Sequence, residues 1–313
     1  MKQVRPKKNL GQHFLTDLSI ARRIADTVDM PYPELPVLEV GPGMGVMTQY
    51  LVEKPRELKV VEIDRESVAY LKQTLFRESS EQSNHISHLS PLTSHLSSLP
   101  SHLSPLPAHL SPIIEGDFLR MDLAEVFGGR QFVLTGNYPY DISSQIFFKM
   151  LDNRDLIPCC TGMIQHEVAV RMAAAPGSKQ YGILSVLIQA WYDVEYLFTV
   201  PPTVFNPPPK VQSAVIRMTR NKVEHLGCDE QLFRRVVKTV FGQRRKMLRV
   251  SLRQMLDADQ IISLISHLSS LPSPLSSLTS HLTLDLRPEQ LSIEQFVELT
   301  NGVEKTLCAN TRI

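Results

Sequence analysis

Short apolar segments alternate with helical patterns up to residue 218, and this alternation limits the fold more than any other feature. Four of the segments span residues 36–40, 58–64, 112–117 and 131–135, and two later ones span residues 194–200 and 211–218. Apolar runs of this length, bounded by turn residues, are typical of buried strands. Strands that alternate with helices form a mainly parallel sheet covered on both faces, so the sequence predicts an α/β fold.

Strand patterns stop after Arg220, and helical patterns follow over residues 229–241, 244–256 and 293–300. The chain has 313 residues, which is enough for one large domain and a smaller one. We therefore expect a sheet domain over residues 1–222 and a small helical domain over residues 223–313.

Two low-complexity segments, at about residues 84–111 and 263–283, repeat a Ser-His-Leu unit with a period of seven. Their leucines have the spacing of a coiled-coil seam. Prolines such as Pro91 and Pro100 would each break such a helix at a cost of about 3 kcal/mol. The repeated histidines suggest metal binding, but their spacing defines no site. We therefore expect mobile insertions in surface loops.

The net charge is only +1, but two segments, residues 1–12 and 234–253, carry several cations and no acid. Such segments favour a phosphate backbone as partner, or they are solvated faces, and the sequence leaves both interpretations open. The four cysteines lack the paired spacing of a zinc site, so we expect no metal and a reduced, cytoplasmic protein. No signal-peptide pattern and no apolar run of about 20 residues predicts a membrane segment.

A glycine-rich loop, Gly41, Gly43 and Gly45, follows the first apolar segment. Glycines there let the backbone approach a ligand closely. A dinucleotide fingerprint would need a glycine where the chain has Val46, which argues against a Rossmann dehydrogenase. The observed G-x-G-x-G spacing is the form found where a sheet binds S-adenosylmethionine.

Acidic residues end the next two strands. Glu62 lies 21 residues after Gly41 and is placed to accept the ribose hydroxyls of a nucleoside. Asp117 is placed to accept the amine of an adenine. The alternatives are a surface acid for Glu62 and a helix N-cap for Asp117. Because ligands of open α/β sheets bind at the carboxyl ends of the strands, the sequence predicts one nucleoside site there.

The fourth strand ends in Asn137-Tyr138-Pro139-Tyr140. An aromatic face stacks on a nucleobase, and the Asn137 and Pro139 carbonyls accept hydrogen bonds from an exocyclic amine. The alternative is a turn closed by the proline, with Tyr140 filling a groove. The residues that precede this segment favour the base-binding interpretation.

Four stretches, residues 8–15, 178–182, 205–211 and 241–246, together with the strand ends, give a specific resemblance. The chain resembles the ribosomal RNA adenine N6,N6-dimethyltransferases that modify bacterial small-subunit rRNA. The resemblance implies a Rossmann-like, S-adenosyl-L-methionine-dependent methyltransferase sheet with a small helical RNA-binding domain. The implied reaction is dimethylation of adenosines, two adjacent ones in a 3'-end hairpin, within an immature 30S particle, by a monomeric enzyme. The family usually has an aliphatic residue where this chain has Tyr138.

The resemblance also implies residue roles. The implied cofactor-binding residues are His13, Leu15, Gly41, Gly43, Glu62, Asp117 and Asn137. The implied catalytic residues are Asn137, Pro139 and Tyr140. The implied RNA-binding residues are Lys7, Lys8, Arg244, Arg245, Lys246 and Arg249. Two alternatives stay open: a large-subunit rRNA adenine N6-methyltransferase of the macrolide-resistance type, and a non-catalytic ribosome-assembly factor.

Overall fold

The computed structural model describes residue 7 and residues 12–76, 112–270 and 282–309. The first expected insertion, about residues 84–111, lies outside these ranges, as does Lys8. Within the described ranges, no helix combines the length and the apolar character that crossing a membrane would require.

Nine strands are present in the described residues. They are β1 (Phe14–Leu15), β2 (Val37–Val40), β3 (Leu58–Glu62), β4 (Ile113–Glu115), β5 (Val133–Thr135), β6 (Cys159–Gln165), β7 (Tyr192–Val200), β8 (Phe205–Asn206) and β9 (Ser213–Arg220). Seven form one sheet in the order β4-β3-β2-β5-β6-β9-β7, and β1 pairs with β8 in a separate two-stranded ribbon. The strands β2 to β6 run parallel, whereas β9 is antiparallel to both of its neighbours. The predicted α/β fold is confirmed.

Helices connect these strands and follow the last one. The sheet region contains α1 (Leu18–Ala25), α2 (Thr48–Leu51), α3 (Arg65–Thr74), α4 (Leu123–Val126), α5 (Ser143–Asp152), α6 (His166–Met172) and α7 (Ile183–Gln189). The C-terminal helices are α8 (Glu230–Gly242), α9 (Leu248–Ser251), α10 (Ala258–Ser270) and α11 (Ile293–Ala309). Asp17 caps α1, because its carboxylate accepts from the Ser19 and Ile20 amides at 2.9 and 3.1 Å.

Two apolar clusters cover the two faces of the sheet. The smaller one joins α1 to residues such as Met163 and Val215 on β6 and β9. The larger one continues from the opposite face into the C-terminal helices, where Trp191 packs against Phe233 and Tyr181 against Phe241. Residue 222, where the domain boundary is expected, lies in the connection between β9 and α8. Apolar packing continues across this connection, and the division into two domains stays a prediction.

The helix expected over residues 244–256 was wrong at its start, and a short α-helix followed by a 3₁₀ turn takes its place. Gly242 ends α8, and the following turn is closed by the Lys246 amide, which donates to the Gln243 carbonyl at 2.7 Å. The next helix, α9, begins only at Leu248. The basic residues between them lie on this turn and not on a helix face.

The loop expected from about residue 263 was also wrong for its first part, because α10 continues to Ser270. Its buried residues Ile261, Leu264 and Leu268 follow a spacing of three and four, and α10 packs on α11 at Gly302. A Cβ on Gly302 would lie 2.7 Å from the Leu264 side chain, so the two helices are in close contact. The prolines that argued against a helix begin only at Pro272, and residues 271–281 lie outside the described ranges.

Candidate active site

The carboxyl ends of the parallel strands meet at one edge of the sheet and border a cavity of about 250 Å³. The cavity is lined by the residues that follow β2, β3, β4 and β5 and by the N-terminal segment 12–15. All of the expected cofactor and catalytic residues line it, namely His13, Leu15, Gly41, Gly43, Glu62, Asp117, Asn137, Pro139 and Tyr140. The structure therefore brings the expected cofactor-binding residues and the expected catalytic residues together at one cavity. The role of each residue stays a prediction.

The glycine loop needs glycine where the backbone is left-handed and tightly packed. Gly43 has φ of +56°, and a Cβ there would lie 3.1 Å from the Phe14 ring. Gly45 has φ of +77°, and a Cβ there would lie 2.3 Å from the Leu75 side chain. Only glycine meets both requirements, and the loop is thereby held against β1 and α3.

Glu62 ends β3 as a buried carboxylate with 4% of its surface exposed. Its Oε2 accepts from the Gly43 amide at 3.0 Å, and its Oε1 accepts from the Asp64 amide at 2.8 Å. Burial raises the pKa of Glu62, while these two hydrogen bonds oppose that shift. Each oxygen keeps a further lone pair, so the carboxylate fits the hydroxyls of a ribose.

Asp117 fulfils the alternative that the sequence left open. Its Oδ1 accepts from the Leu119 amide at 2.9 Å and caps a 3₁₀ turn over Phe118–Arg120. Its Oδ2 lies 3.4 Å from Arg120 Nε. The residue also lines the cavity, so capping and a contact to a bound adenine are compatible.

The segment after β5 is fixed by its backbone. The Tyr138 amide donates to the Met163 carbonyl at 3.0 Å, and the Met163 amide donates to the Gly136 carbonyl at 2.9 Å. The Tyr138 ring is 1% exposed, and its hydroxyl donates to the Thr161 carbonyl at 2.9 Å. A Cβ on Gly162 would lie 2.7 Å from this ring, so the glycine makes room for the tyrosine.

The polar groups of this segment are aligned through its neighbours. Asn137 Nδ2 donates to the His13 carbonyl at 3.2 Å, and its Oδ1 has no hydrogen-bond partner among the described residues. The Pro139 carbonyl accepts only a long bond of 3.3 Å from the Ile142 amide. Tyr140 is half-buried, and its hydroxyl bonds to Ser213 Oγ. Two carbonyl acceptors and one aromatic ring are therefore arranged beside the cavity.

His13 connects the N-terminal segment to this arrangement. Its ring stacks on Tyr140 with centroids 5.5 Å apart and planes inclined by 29°. Its Nδ1 lies 2.8 Å from the Pro207 carbonyl, next to β8. The β1–β8 ribbon therefore carries His13 over both the cavity and Tyr140.

Two residues of the site were missed by sequence reasoning. Glu39, on β2 directly before the glycine loop, is 1% exposed, and burial raises its pKa to about 8, against a 2.7 Å hydrogen bond from Thr48 Oγ1. Ile63, directly after Glu62, lines the cavity and is 53% exposed, an apolar surface fit for a flat ring. The signal for both was their position beside a recognised residue.

Lys7 belongs to this edge as well. Its ammonium lies 2.6 Å from Asp64 Oδ1 and 3.3 Å from Glu66 Oε1, and Gln12 Nε2 lies 3.4 Å from Asp64 Oδ2. The hydrogen bond to Asp64 raises the pKa of Lys7. Burial favours a higher pKa for Asp64, but the hydrogen bonds from Lys7, Glu66 and Gln12 together lower it. Lys7 was expected to bind phosphate, but its charge is compensated by Asp64 and Glu66, next to Glu62.

The C-terminal cations divide into two groups. Arg244 donates to the Ser178 carbonyl at 3.3 Å, and Arg249 lies 3.3 Å from Asp285. Arg245 and Lys246 are exposed on the turn before α9 and have no acidic partner within the described ranges. Among the four expected RNA-binding residues of this region, these two are the ones left free to contact an RNA phosphate.

Two of the four cysteines are core residues. Cys159 and Cys160 are fully buried in β6, and burial raises the pKa of Cys159 to about 12. In the described part of the chain, no three His, Cys, Asp or Glu side chains are grouped to hold a metal ion.

The sheet order, the glycine loop and the acidic strand ends define the class of S-adenosylmethionine-dependent methyltransferases. Two solved structures share this fold. A dimethyladenosine transferase from Plasmodium falciparum has a TM-score of 0.65 and 20% identity, covering 94% of this chain and 98% of its own. The 23S rRNA methyltransferase ErmE has a TM-score of 0.56 and 22% identity, covering 93% of this chain and 99% of its own.

Sequence comparison identifies the family. The model for the family described as ribosomal RNA adenine dimethylase matches residues 3–286. A ribosomal RNA small subunit methyltransferase A from Bacteroides thetaiotaomicron is 58% identical, covering 98% of this chain and 97% of its own. The protein of that name from Flavobacterium johnsoniae is 45% identical, covering 97% and 98%. The chain belongs to the ribosomal RNA adenine dimethylase family, and its cofactor is S-adenosylmethionine.

Proposed function

We propose that this chain is the enzyme that dimethylates adenosine N6 in small-subunit 16S rRNA during ribosome assembly. The observation that carries the proposal is the placement of Asn137, Pro139 and Tyr140 on the same cavity as Glu62 and the glycine loop. The relatives named above, whose names refer to the small subunit, support this substrate over large-subunit rRNA. We propose that the substrate is an immature 30S particle and that two adjacent adenosines in a 3'-end hairpin are modified by a monomer.

The cofactor fits the residues present at the cavity. Glu62 supplies two carboxylate oxygens for ribose hydroxyls, and Asp117 lines the cavity where an adenine amine would be accepted. Gly41 and Gly43 line the cavity without a side chain. His13 and Leu15 contribute the N-terminal side. When bound, the cofactor supplies a methyl group on a sulfonium, which is a strong electrophile.

Asn137 and Pro139 orient the nucleophile. The amine on adenine C6 is a poor nucleophile because its lone pair is delocalised into the ring. Asn137 Oδ1 and the Pro139 carbonyl each accept one N–H, which favours a pyramidal nitrogen with its lone pair directed at the cavity. No strong base is required, and alignment of this kind contributes several kcal/mol to lowering the barrier.

Tyr140 holds the base. A target base must leave its stack first, at a cost of a few kcal/mol. Stacking on an aromatic ring, worth roughly 1–3 kcal/mol, offsets part of that cost. The hydrogen bond between its hydroxyl and Ser213 Oγ fixes the orientation of the ring.

The exposed cations on the turn before α9 position the RNA. Arg245 and Lys246, with Arg249 beside them, bind phosphates of the rRNA and set its position, without reading bases. We propose that residues 1–222 form the catalytic domain and contain the first low-complexity segment. Residues 223–313 form the RNA-binding domain and contain the second.

The test is mass spectrometry of immature small subunits incubated with the protein and S-adenosylmethionine. We expect N6,N6-dimethyladenosine in the 16S rRNA and none in matched large subunits. Methylation confined to large-subunit rRNA would show a macrolide-resistance type of enzyme. Absence of methyl transfer to either particle would show an assembly factor without catalytic activity.

A further inference from the structure

The end of β6 lies beside the segment that carries the catalytic residues. Asn137 forms a parallel bridge with Met163. Gln165, the last residue of β6, is two residues beyond Met163, just as Pro139 is two residues beyond Asn137. Gln165 is therefore level with Pro139 along this edge of the sheet.

The other neighbour of Gln165 bonds to Tyr140. In the antiparallel pairing of β6 with β9, Gln165 stands directly opposite Ser213. Residues directly opposite each other in an antiparallel pair present their side chains on the same face. Because Ser213 Oγ bonds to the Tyr140 hydroxyl, the Gln165 side chain lies on the face of the sheet that holds Tyr140.

The amide of Gln165 has no structural role among the described residues. It is half-buried, yet its side chain has no hydrogen-bond partner within them. It occupies the N-cap position of α6 but makes no capping hydrogen bond. Its neighbours are engaged, since Ser213 bonds to Tyr140 and Thr161 Oγ1 donates to the Ile216 carbonyl at 2.9 Å. An amide with two donors and one acceptor is thus left available beside the segment that carries Pro139 and Tyr140.

We propose that Gln165 recognises the target base by donating from its amide to a ring nitrogen beside the reacting amine. Adenine has an acceptor on each side of its C6 amine, at N1 and N7. Guanine carries a hydrogen on N1, where it cannot accept from the Gln165 amide. It also carries an oxygen on C6, which the carbonyl oxygens of Asn137 and Pro139 would repel. Gln165 therefore adds the donor that completes a pattern selective for adenine. The inference rests on the proposed function, because it names the base contact of the same site.

The test compares Gln165→Met, which keeps the length of the side chain and removes the donors, with Gln165→Glu. The substrates are small subunits reconstituted with rRNA that carries adenosine, 1-deazaadenosine or 7-deazaadenosine at the target positions. For adenosine we expect both variants to lower kcat/KM on the order of tenfold to a hundredfold. Cofactor Kd and Tm should stay at the wild-type values. Gln131→Met, an exposed glutamine far along the chain, is the matched control with unchanged activity.

The modified substrates identify the contact. One of the two deaza substrates lacks the nitrogen that Gln165 contacts. On that substrate the wild-type rate should fall as far as the rate of Gln165→Met falls on adenosine. The rate of Gln165→Met itself should be the same on that substrate as on adenosine. Wild-type rates in both variants, or further loss with both deaza substrates, would overturn the inference. Failure of the wild type to methylate unmodified subunits would instead overturn the proposed function.

Discussion

The edge of the sheet and the turn before α9 both carry clusters of charge, but only the first is internally compensated. At the edge, Glu62 and Asp64 are buried, and backbone amides or Lys7 bond to their carboxylates. On the turn, Arg245 and Lys246 are exposed without an acidic partner among the described residues. Changes at the edge should therefore alter rate, cofactor affinity or stability, whereas changes on the turn should alter RNA affinity and its salt dependence.

The largest effect is expected for Asn137→Ala, which removes an acceptor for the target amine. Methyl transfer should fall on the order of a thousandfold, because alignment of the nucleophile is lost. Cofactor Kd should rise by less than tenfold, as measured by calorimetry. Asn301→Ala, at an exposed position of α11, is the control. A near wild-type rate in Asn137→Ala would remove this residue from the mechanism.

The next effect concerns the turn. Reversal of both exposed cations, Arg245→Glu with Lys246→Glu, should weaken RNA binding by roughly tenfold to a hundredfold at low salt. The slope of log affinity against log salt should fall by about two, one for each phosphate contact. Filter binding across a salt series measures both quantities, with Lys305→Glu as control. An unchanged slope would assign these cations to a solvated face.

The buried carboxyl of Glu39, at the edge of the sheet, should make the stability of the protein depend on pH. Burial raises its pKa from 4.5 to about 8, so the folded protein binds this proton more tightly than the unfolded chain. The contribution of this bound proton to the free energy of unfolding is complete below pH 4.5 and is lost as the pH rises to about 8. Relative to Glu39→Gln, wild-type stability should therefore fall by up to about 1.4 kcal/mol per pH unit across this window.

Urea denaturation of both proteins at pH 5, 6.5 and 8 measures that difference, and the exposed Glu34→Gln variant controls for the loss of a carboxyl. A constant difference between wild type and Glu39→Gln at the three pH values would contradict a protonated Glu39.

The smallest effect decides to which region Lys7 belongs. Lys7→Ala frees Asp64 and should weaken cofactor binding by roughly threefold, because the N-terminal segment loses one attachment beside Glu62. RNA affinity and its salt slope should stay unchanged. If the salt slope falls instead, Lys7 contacts phosphate, as the sequence pattern indicates, and belongs with Arg245 and Lys246.

The sheet and the site edge were predictable because their residues follow one another along the chain. Each apolar run ends in a chemically distinctive residue, so Glu62, Asp117 and Asn137 could be placed without knowledge of distant contacts. The strand β6 was missed because its start, Cys159-Cys160-Thr161-Gly162, contains a glycine and few strongly strand-forming residues. Its burial comes from a position inside the sheet, between β5 and β9.

The contacts that could not be predicted join residues far apart in the sequence. The pairing of Lys7 with Asp64, the bond of Arg244 to Ser178 and that of Tyr140 to Ser213 have no local signal. The helix α10 was missed because the repeat obscured it, although residues 258–270 contain no proline. Composition identified the cations but not which of them remain unpaired.

The way in which His13 is attached has a consequence for turnover. The segment that carries the catalytic residues is anchored by a backbone hydrogen bond between Tyr138 and Met163. The N-terminal side of the site is held by one residue, His13, which contacts Asn137, Tyr140 and Pro207. Two methylations of one base need a fresh cofactor in between. If the N-terminal segment moves away to release the spent cofactor, the monomethylated adenine loses its contact with His13 at the same moment. The order of product release is therefore linked to a single residue.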